Sequence, residues 1–421
     1  MTDFVDTIVA GGGTAGSAAA WQLAGRGAEV LLLEACPVID ESPGRAFEVA
    51  YTDPVYQALA AESVALWDSL DSLDSTAGPT RDAADAAVPV LDRTGAVLHG
   101  HAPRLEAAAG ALARARLAHE ILSASDAESR WPGLRFGGSV LFTPQGGRLR
   151  EDAAIAALRN AAAAEGARVV SGATITRIRI LGDDLARLEV RRPSAGDDPA
   201  LLDGSSPGEV QEIDCRRLVV TLGASTAKLL RGLVTLPRIT STRDSSIVLP
   251  TAIGRAPAVL HLPDPTAPGQ RYWRGDAAVL GGESTSGGEG AGGGGTTVAV
   301  GWRDVGPAGE PSASSSTLPP RELAALLRYA REWLPGADAD VPTPTSRVRT
   351  SAHHGDFVID RIGPVIVGAG FGAAGAGLAP AVGRLLAGLV EGTAAPSRFA
   401  LRPDRRRVFD PVAPAESARR S

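Results

Sequence analysis

The chain has 421 residues, 44% hydrophobic and only 4% aromatic, so it can bury a sizeable core made mostly of Ala, Val and Leu. Its formal charge is −6, and arginine is dispersed among acids with no basic stripe, which argues against a nucleic-acid partner. Two cysteines, Cys36 and Cys215, form neither a disulfide framework nor a zinc cluster and fit a reducing cytoplasm; no metal site is expected.

The opening "MTDFVDTIV" enters a strand at once and lacks the basic and apolar regions of a leader peptide. Residues 7–10 read as a buried strand, about 15–25 as a helix, and "AEVLLLEA" as a second strand ending in Glu34. This is a βαβ unit, whose parallel strands require helices on the sheet faces. Residues 53–70 have helical periodicity, with Pro54 in the first turn. "VPVLDRTGAVLHG" predicts a hairpin, followed by a helix rich in Ala and Arg. Residues 152–170 predict a helix stopped by Gly166 that delivers into a strand. "ATITRIRI" and "LARLEVRR" predict two antiparallel strands, 193–210 a turn-rich excursion, and "RRLVVTLGA" a further buried strand.

Beyond about residue 230 the texture changes. "SIVLPTAI", "AVLHL", "RYWRG", "AAVLGG" and "TTVAVGW" predict an antiparallel sheet. Residues 281–295 and 306–316 read as low-complexity loops, 319–335 as a helix bounded by prolines, and 404–421 as a frayed tail. The uncharged stretch 362–383 is long enough to span a bilayer. Its glycines, with Pro364 and Pro380, predict strand–turn–helix instead, so no membrane partner is expected.

Two stretches carry chemistry. Gly11-Gly12-Gly13-Thr14-Ala15-Gly16 satisfies G-x-G-x-x-G between a strand and a helix. The first glycine permits the turn, the second lets backbone N–H groups approach a pyrophosphate, and the third lets helix and strand pack closely. Glu34 ends the next strand, placed for a ribose diol and against a 2′-phosphate. That unit alone leaves NAD and FAD open. The second stretch, "VIVGAGFGAAGAGLAPAVGRLL", is again strand, glycine turn and helix. One elongated FAD explains both, with its diphosphate on the first helix end and its flavin on the second, where a helix N-terminus stabilises charge on the reduced ring. Close packing of helix on sheet, with no ligand, is the alternative.

With "SRWPGL", "LFTPQGGRLREDAAIAAL", "LVVTLGASTAKLL" and "DFVIDRIGPVIVGAGF", these stretches resemble the FAD-dependent D-amino acid oxidase superfamily, nearest to the monomeric sarcosine oxidase and N-methyltryptophan oxidase branch. The resemblance implies a mixed α/β fold with a discontinuous Rossmann-type FAD domain (1–85, 145–225 and 343–403) and an antiparallel-sheet substrate domain (86–144 and 226–342). Expected cofactor contacts are Gly11, Gly13, Thr14, Ala15, Gly16, Glu34, Ala35, Arg45, Val170, Gly223, Gly370, Gly372, Ala374, Gly375, Gly377 and Leu378.

The sequence also departs from that branch. An ungapped count places Arg347 where the branch has its flavin-linking cysteine, so FAD is expected to be non-covalent. The branch's two site lysines fall at Gly377 and Ala299, and its paired arginines become Arg45 and Glu48. This implies a weaker grip on a small carboxylate, hence a larger, neutral or cationic substrate, and puts reactivity with O2 in question. Arg45, His353 and His354 are the catalytic candidates; Glu48, Tyr51, Tyr272, Trp302 and Arg303 are the substrate-contact candidates. The expected activity is hydride transfer from the carbon beside an amine nitrogen to flavin N5 in a biosynthetic route, by a monomer or small homo-oligomer. The alternatives are a dehydrogenase or desaturase with an acceptor other than O2, and a flavin-binding protein without turnover.

Overall fold

A computed structural model describes residues 3–35, 44–76, 89–192, 209–264, 277–283, 296–302 and 317–401. The run Asp3–Ala10 loses its exposed residues after Phe4 and lies mid-sheet, as a strand buried on both faces should. Val30–Glu34 pairs with it in parallel on one side, with Arg168–Ser171 beyond. On the other side lies Glu209–Val220, a strand long enough to have two partners along its far edge. Its first half pairs antiparallel with Leu185–Arg192, and its last residues pair in parallel with Val365–Ala369. Thr174–Gly182 continues the antiparallel side, as expected from "ATITRIRI" and "LARLEVRR".

Alternation along these strands divides the core in two. Val9, Leu32, Val219 and Ile366 face a layer of helices, Thr14–Ala24, Glu151–Ala164, Pro54–Thr76 and Ala379–Val390. Ile8, Leu31, Leu33, Leu218 and Val367 face the opposite way, against Ile178, Leu188, Leu230 and Val234. Gly383 brings two of these helices into backbone contact, since a Cβ there would stand 2.5 Å from the Ala18 carbonyl carbon. The glycine therefore sets how closely helices Thr14–Ala24 and Ala379–Val390 approach.

The second sheet also has eight strands. From one edge the order is Thr343–Ala352, Ile239–Pro250, Thr296–Trp302, Ala277–Glu283, Ala258–Leu262, Ala96–Gly100, Val140–Thr143 and Glu120–Leu122. All neighbours are antiparallel except Ala258–Leu262 with Ala96–Gly100. One face packs Ile247, Val259, Val300 and Trp302 against Leu326 and Tyr329 of helix Pro320–Trp333. The other presents the short side chains of Ala96, Ala258 and Ala299. A third, three-stranded sheet joins Arg45–Phe47, Gly147–Leu149 and Leu91–Asp92.

Two expectations change. "VPVLDRTGAVLHG" is not a hairpin: Leu91–Asp92 pairs with Gly147–Leu149, whereas Ala96–Gly100 joins the second sheet. The local turn signal is real, but each strand finds a better partner distant in sequence. Thr343–Ala352, expected on the FAD side of a boundary at 343, pairs along its length with Ile239–Pro250 and so lies in the second sheet. Cys36, Tyr272, Arg303, the strand "RYWRG", most of 281–295, the loop 306–316 and the tail 404–421 lie outside the described residues.

Candidate active site

The first glycine turn follows Ala10 where the parallel strands end. Gly11 has φ +99°, and a Cβ there would sit 2.5 Å from the Thr221 carbonyl oxygen. Thr221 fastens this approach, its N–H donating to Ala10 O at 2.8 Å and its hydroxyl to Gly11 O at 2.9 Å. A Cβ on Gly16 would collide with the Gly11 carbonyl. At Gly13, by contrast, nothing lies within 4 Å of where a Cβ would be. Gly13 caps helix Thr14–Ala24 with no side-chain acceptor, and the first turn holds no acid. The result is an open slot at a helix N-terminus, whose outward N–H groups and partial positive charge suit a diphosphate.

Glu34 stands at the lip of that slot, accepting from Gly12 N–H. Arg159, which the sequence reading missed, donates to Gly12 O at 2.6 Å and lies 3.7 Å from the Glu34 carboxylate. It was legible only as one cation on an otherwise Ala-rich helix. Ala35 follows Glu34, Val170 pairs with Leu33 beside it, and Gly223 (φ +53°) lies two residues beyond Thr221. These expected contacts therefore gather around the first turn.

The second turn leaves the sheet at the same end. Ala10, Val220 and Val367 stand in one row across three parallel strands, so the two turns start about 10 Å apart. Ligands of open α/β sheets bind at such carboxyl ends. Gly370 (φ +70°) passes 2.9 Å from Ala352 N by the same Cβ construction, and Gly372 N–H donates to Thr350 O at 2.9 Å. The turn is thus pinned to the edge strand of the second sheet. A Cβ on Gly377 would meet the Phe47 ring, and the Gly377 carbonyl accepts from buried Trp67 Nε1 at 2.9 Å. Ala374 packs on the helix-side core, and Leu378 caps helix Ala379–Val390. Crowded glycines below and open backbone donors above fit an extended dinucleotide across both turns.

Beside Ala373 of the second turn opens a cavity enclosing about 660 Å³, its open mouth included. Gly44, Arg45 and Ala46 form one wall, and the short-side-chain face of the second sheet forms the other, including Asp244, Ser246, Ala278, Ala299 and Gly301. Arg347 and Arg349, two apart on the edge strand, point into it together. Arg349 is paired with Asp244. Arg45 Nε and Arg347 Nη1 both bond the Glu151 carboxylate, at 2.6 and 3.2 Å. Burial opposes ionisation of Glu151, but the Arg45 and Arg347 guanidiniums outweigh it and hold the carboxyl below its ordinary range.

Of the candidates among the described residues, Arg45 and Trp302 line this cavity. Arg45 is held in an ion pair, which makes it a wall group with a fixed position. The Trp302 ring turns to the other face of its sheet, edge-on to Tyr329 at 5.6 Å. His353 is exposed and His354 half-buried in a turn before Gly355, His354 Nδ1 accepting from Asp356 N–H at 3.2 Å; neither is on the cavity wall. Tyr51 stacks on Tyr56 at 5.8 Å, and Glu48 is half-buried beside Phe47; they too lie off that wall. Arg347, Arg349, Asp244 and Glu151 are the groups the sequence reading did not assign. Arg347 and Arg349 bring guanidiniums to this wall, whereas the positions of the branch's two lysines, Gly377 and Ala299, carry none. Among the described residues no cluster of His, Cys, Asp or Glu could hold a metal ion.

Residues 6–389 match the model of the DAO family, described as FAD dependent oxidoreductase. Peroxisomal sarcosine oxidase of Mus musculus is 25% identical over 419 residues, covering 92% of each chain. Among solved structures, the open form of NikD, an unusual amino acid oxidase essential for nikkomycin biosynthesis, superposes with a TM-score of 0.73 at 22% identity, covering 97% of this chain and 100% of that one. Glycine oxidase from Geobacillus kaustophilus gives 0.70 at 17% identity, covering 96% and 100%. L-proline dehydrogenase from P. horikoshii gives 0.72 at 16%, covering 94% and 95%. A family match over most of the chain joins a glycine cradle that fits the dinucleotide, and the chain belongs to the DAO family of FAD-dependent oxidoreductases.

Proposed function

We propose that this protein oxidises a C–N bond of a small amine that carries a carboxylate. The reading rests on one observation, the guanidiniums of Arg347 and Arg349 at the cavity wall beside the second glycine turn. When bound, FAD supplies the two-electron acceptor for the carbon next to the amine nitrogen. The chain's own residues do the rest. The N–H groups at Thr14, Ala15 and Gly16 hold the diphosphate, and Glu34 takes the ribose diol. Arg349 and Arg347 take the substrate carboxylate in charge-assisted hydrogen bonds and so fix which carbon faces the ring. Ala278, Ala299 and Gly301 leave room on the floor for the body of the substrate. Activity should rise with pH as the bound amine loses its proton, because only its lone pair can assist.

FAD is held without a covalent link in this reading. Arg347 replaces a thiol at the wall, and Cys215 lies fully buried in the first sheet, burial pushing its thiol up to about 12. Acid precipitation should therefore release all the flavin into the supernatant; colour retained in the pellet counts against it. The proposal extends to a small-molecule route in the cytoplasm, run by a monomer or small homo-oligomer; no helix among the described residues is long and apolar enough to cross a membrane.

The test is anaerobic mixing of the holoenzyme with a panel of amines and amino acids while the flavin's visible absorbance is followed. Bleaching by carboxylate-bearing amines, and not by their amides, is the expected result; bleaching by the amides equally well would refute the carboxylate reading. A second reading, a dehydrogenase with an acceptor other than O2, is favoured by Ala299 on the cavity floor, where no cation stands. Slow reoxidation of the bleached enzyme in air would support it.

A further inference from the structure

Gly12 fills a position that the G-x-G-x-x-G pattern leaves open to any residue, and its missing side chain makes room for two others. A Cβ there would stand 2.7 Å from Arg159 Nη2 and 3.0 Å from Glu34 Cβ. Protein thus fills the turn on this side, whereas the place of a Cβ on Gly13 is open. Gly12 is tied at both ends. Its N–H donates to Glu34 Oε2, and its carbonyl accepts from Arg159 Nη2 at 2.6 Å and Nε at 3.2 Å. That carbonyl also accepts from the buried Ser17 hydroxyl at 2.8 Å, so the turn has an anchor besides Arg159. What the guanidinium adds is a positive charge 3.7 Å from Glu34 Oε2. The Arg159 and Glu34 side chains are 13% and 18% exposed, a depth at which salt screens little. Burial there drives a carboxylate toward water, and a neighbouring cation opposes that movement.

We propose that Arg159 is a positioning residue whose charge holds the Glu34 carboxylate at the lip of the slot, ready for the ribose diol in the adenosine half of FAD. This rests on the reading of Glu34 as the ribose acceptor. A carboxylate fixed before the cofactor arrives loses little further freedom on accepting hydroxyl donors, so more of their bond strength appears in the affinity. Arg159 therefore sets how well the protein tells a ribose from a 2′-deoxyribose. The diphosphate is held separately, by the N–H groups at the helix N-terminus.

The test is the rate at which cofactor leaves the holoenzyme on dilution, read from the rise in flavin fluorescence. It is measured on protein loaded with FAD and on protein loaded with the analogue whose adenosine is 2′-deoxy. From the wild type the analogue should leave about tenfold faster, through loss of one charge-assisted hydrogen bond. From Arg159→Met, which keeps the stem and removes the charge, the two should leave at rates within about twofold of each other. From Arg159→Lys, which keeps the charge, the analogue should still leave about fivefold faster or more. A merely structural role would speed the release of both cofactors alike and leave their ratio standing in Arg159→Met. That result overturns the proposal, as does an Arg159→Lys ratio as small as that of Arg159→Met. Should Arg159→Met not hold flavin, Arg159→Lys decides alone, and a ratio below about fivefold overturns the proposal. Failure of the underlying reading looks different: Glu34→Gln would then keep the wild-type ratio, and the role of Arg159 would fall with it.

Discussion

The two faces of the eight-stranded sheet are made from alternate residues of the same strands, yet they keep their polar groups in opposite states. On the cavity face Arg347, Arg349 and Asp244 meet as ions beside an open mouth. On the helix face His99 and His261 stack at 3.7 Å between ring centroids, each 1% exposed and directly opposite in register. His261 Nδ1 lies 3.2 Å from the Tyr329 hydroxyl, and His99 Nδ1 accepts from Gly137 N–H at 3.2 Å. Burial pushes His99 down to about 3; burial, then the neighbouring His99, pushes His261 lower still. Access to water and opposite charge preserve ions on one face, and at the stacked pair on the other their exclusion selects neutral rings. A sheet can thus present a charged cavity wall and a sealed core only one side chain apart.

The largest effect is expected on the charged face. Arg349→Ala removes the guanidinium paired with Asp244, the two side chains being 12% and 11% exposed, so about 3–5 kcal/mol of stability should be lost. Chemical denaturation checks this, and carboxylate affinity should fall with it. Removing both partners, as Arg349→Leu with Asp244→Leu, should recover much of the stability and none of the affinity. That outcome separates what the pair does for folding from what it does for binding.

On the neutral face the expected lesion is made by acid. Folding depresses the pKa of His99, so its stabilisation is fully present above the unfolded value near 6.5 and is lost as pH falls toward about 3. At pH 4.5 the unfolded chain gains about two units of protonation free energy that the fold refuses, roughly 3 kcal/mol for that one ring. Denaturant midpoints should fall steeply between pH 6.5 and 4, and His99→Phe should flatten the slope. An equally steep slope in that variant would locate the acid sensitivity elsewhere.

Legibility in the sequence follows the same division between local and long-range causes. Both glycine turns were readable because their function needs consecutive residues: the missing Cβ at Gly16 is demanded by the Gly11 carbonyl five residues earlier, even though the one at Gly11 is demanded by distant Thr221. The helix 320–333 announced itself by its prolines, and the paired strands after 174 by alternation. What escaped was pairing across distance. Nothing near Glu151 reveals that Arg45 and Arg347 converge on it from 106 and 196 residues away. His353 and His354 stand out by residue type, whereas the histidines that stack in the core, His99 and His261, are 162 residues apart in sequence and join through a parallel strand contact. The false hairpin at 88–100 has the same origin, since local turn chemistry is outbid by partners the sequence does not place nearby.

The smaller effects test how far the contrast between the faces extends. The Ser245 hydroxyl, on the helix face, donates to the buried Glu322 carboxylate. Ser245→Ala removes one charge-assisted bond and should cost about 1.5–3 kcal/mol, measured at neutral pH. Least of all should be Glu120→Gln at the far edge, where Arg130 lies 2.8 Å away but the side chains are 42% and 52% exposed. Water already solvates both ions there, so the pair contributes about 0–1 kcal/mol and less in salt. Its melting temperature should match the wild type at high ionic strength. If it fell as far as that of Ser245→Ala, distance from water would not be what governs charge in this sheet, and the contrast between its two faces would need another cause.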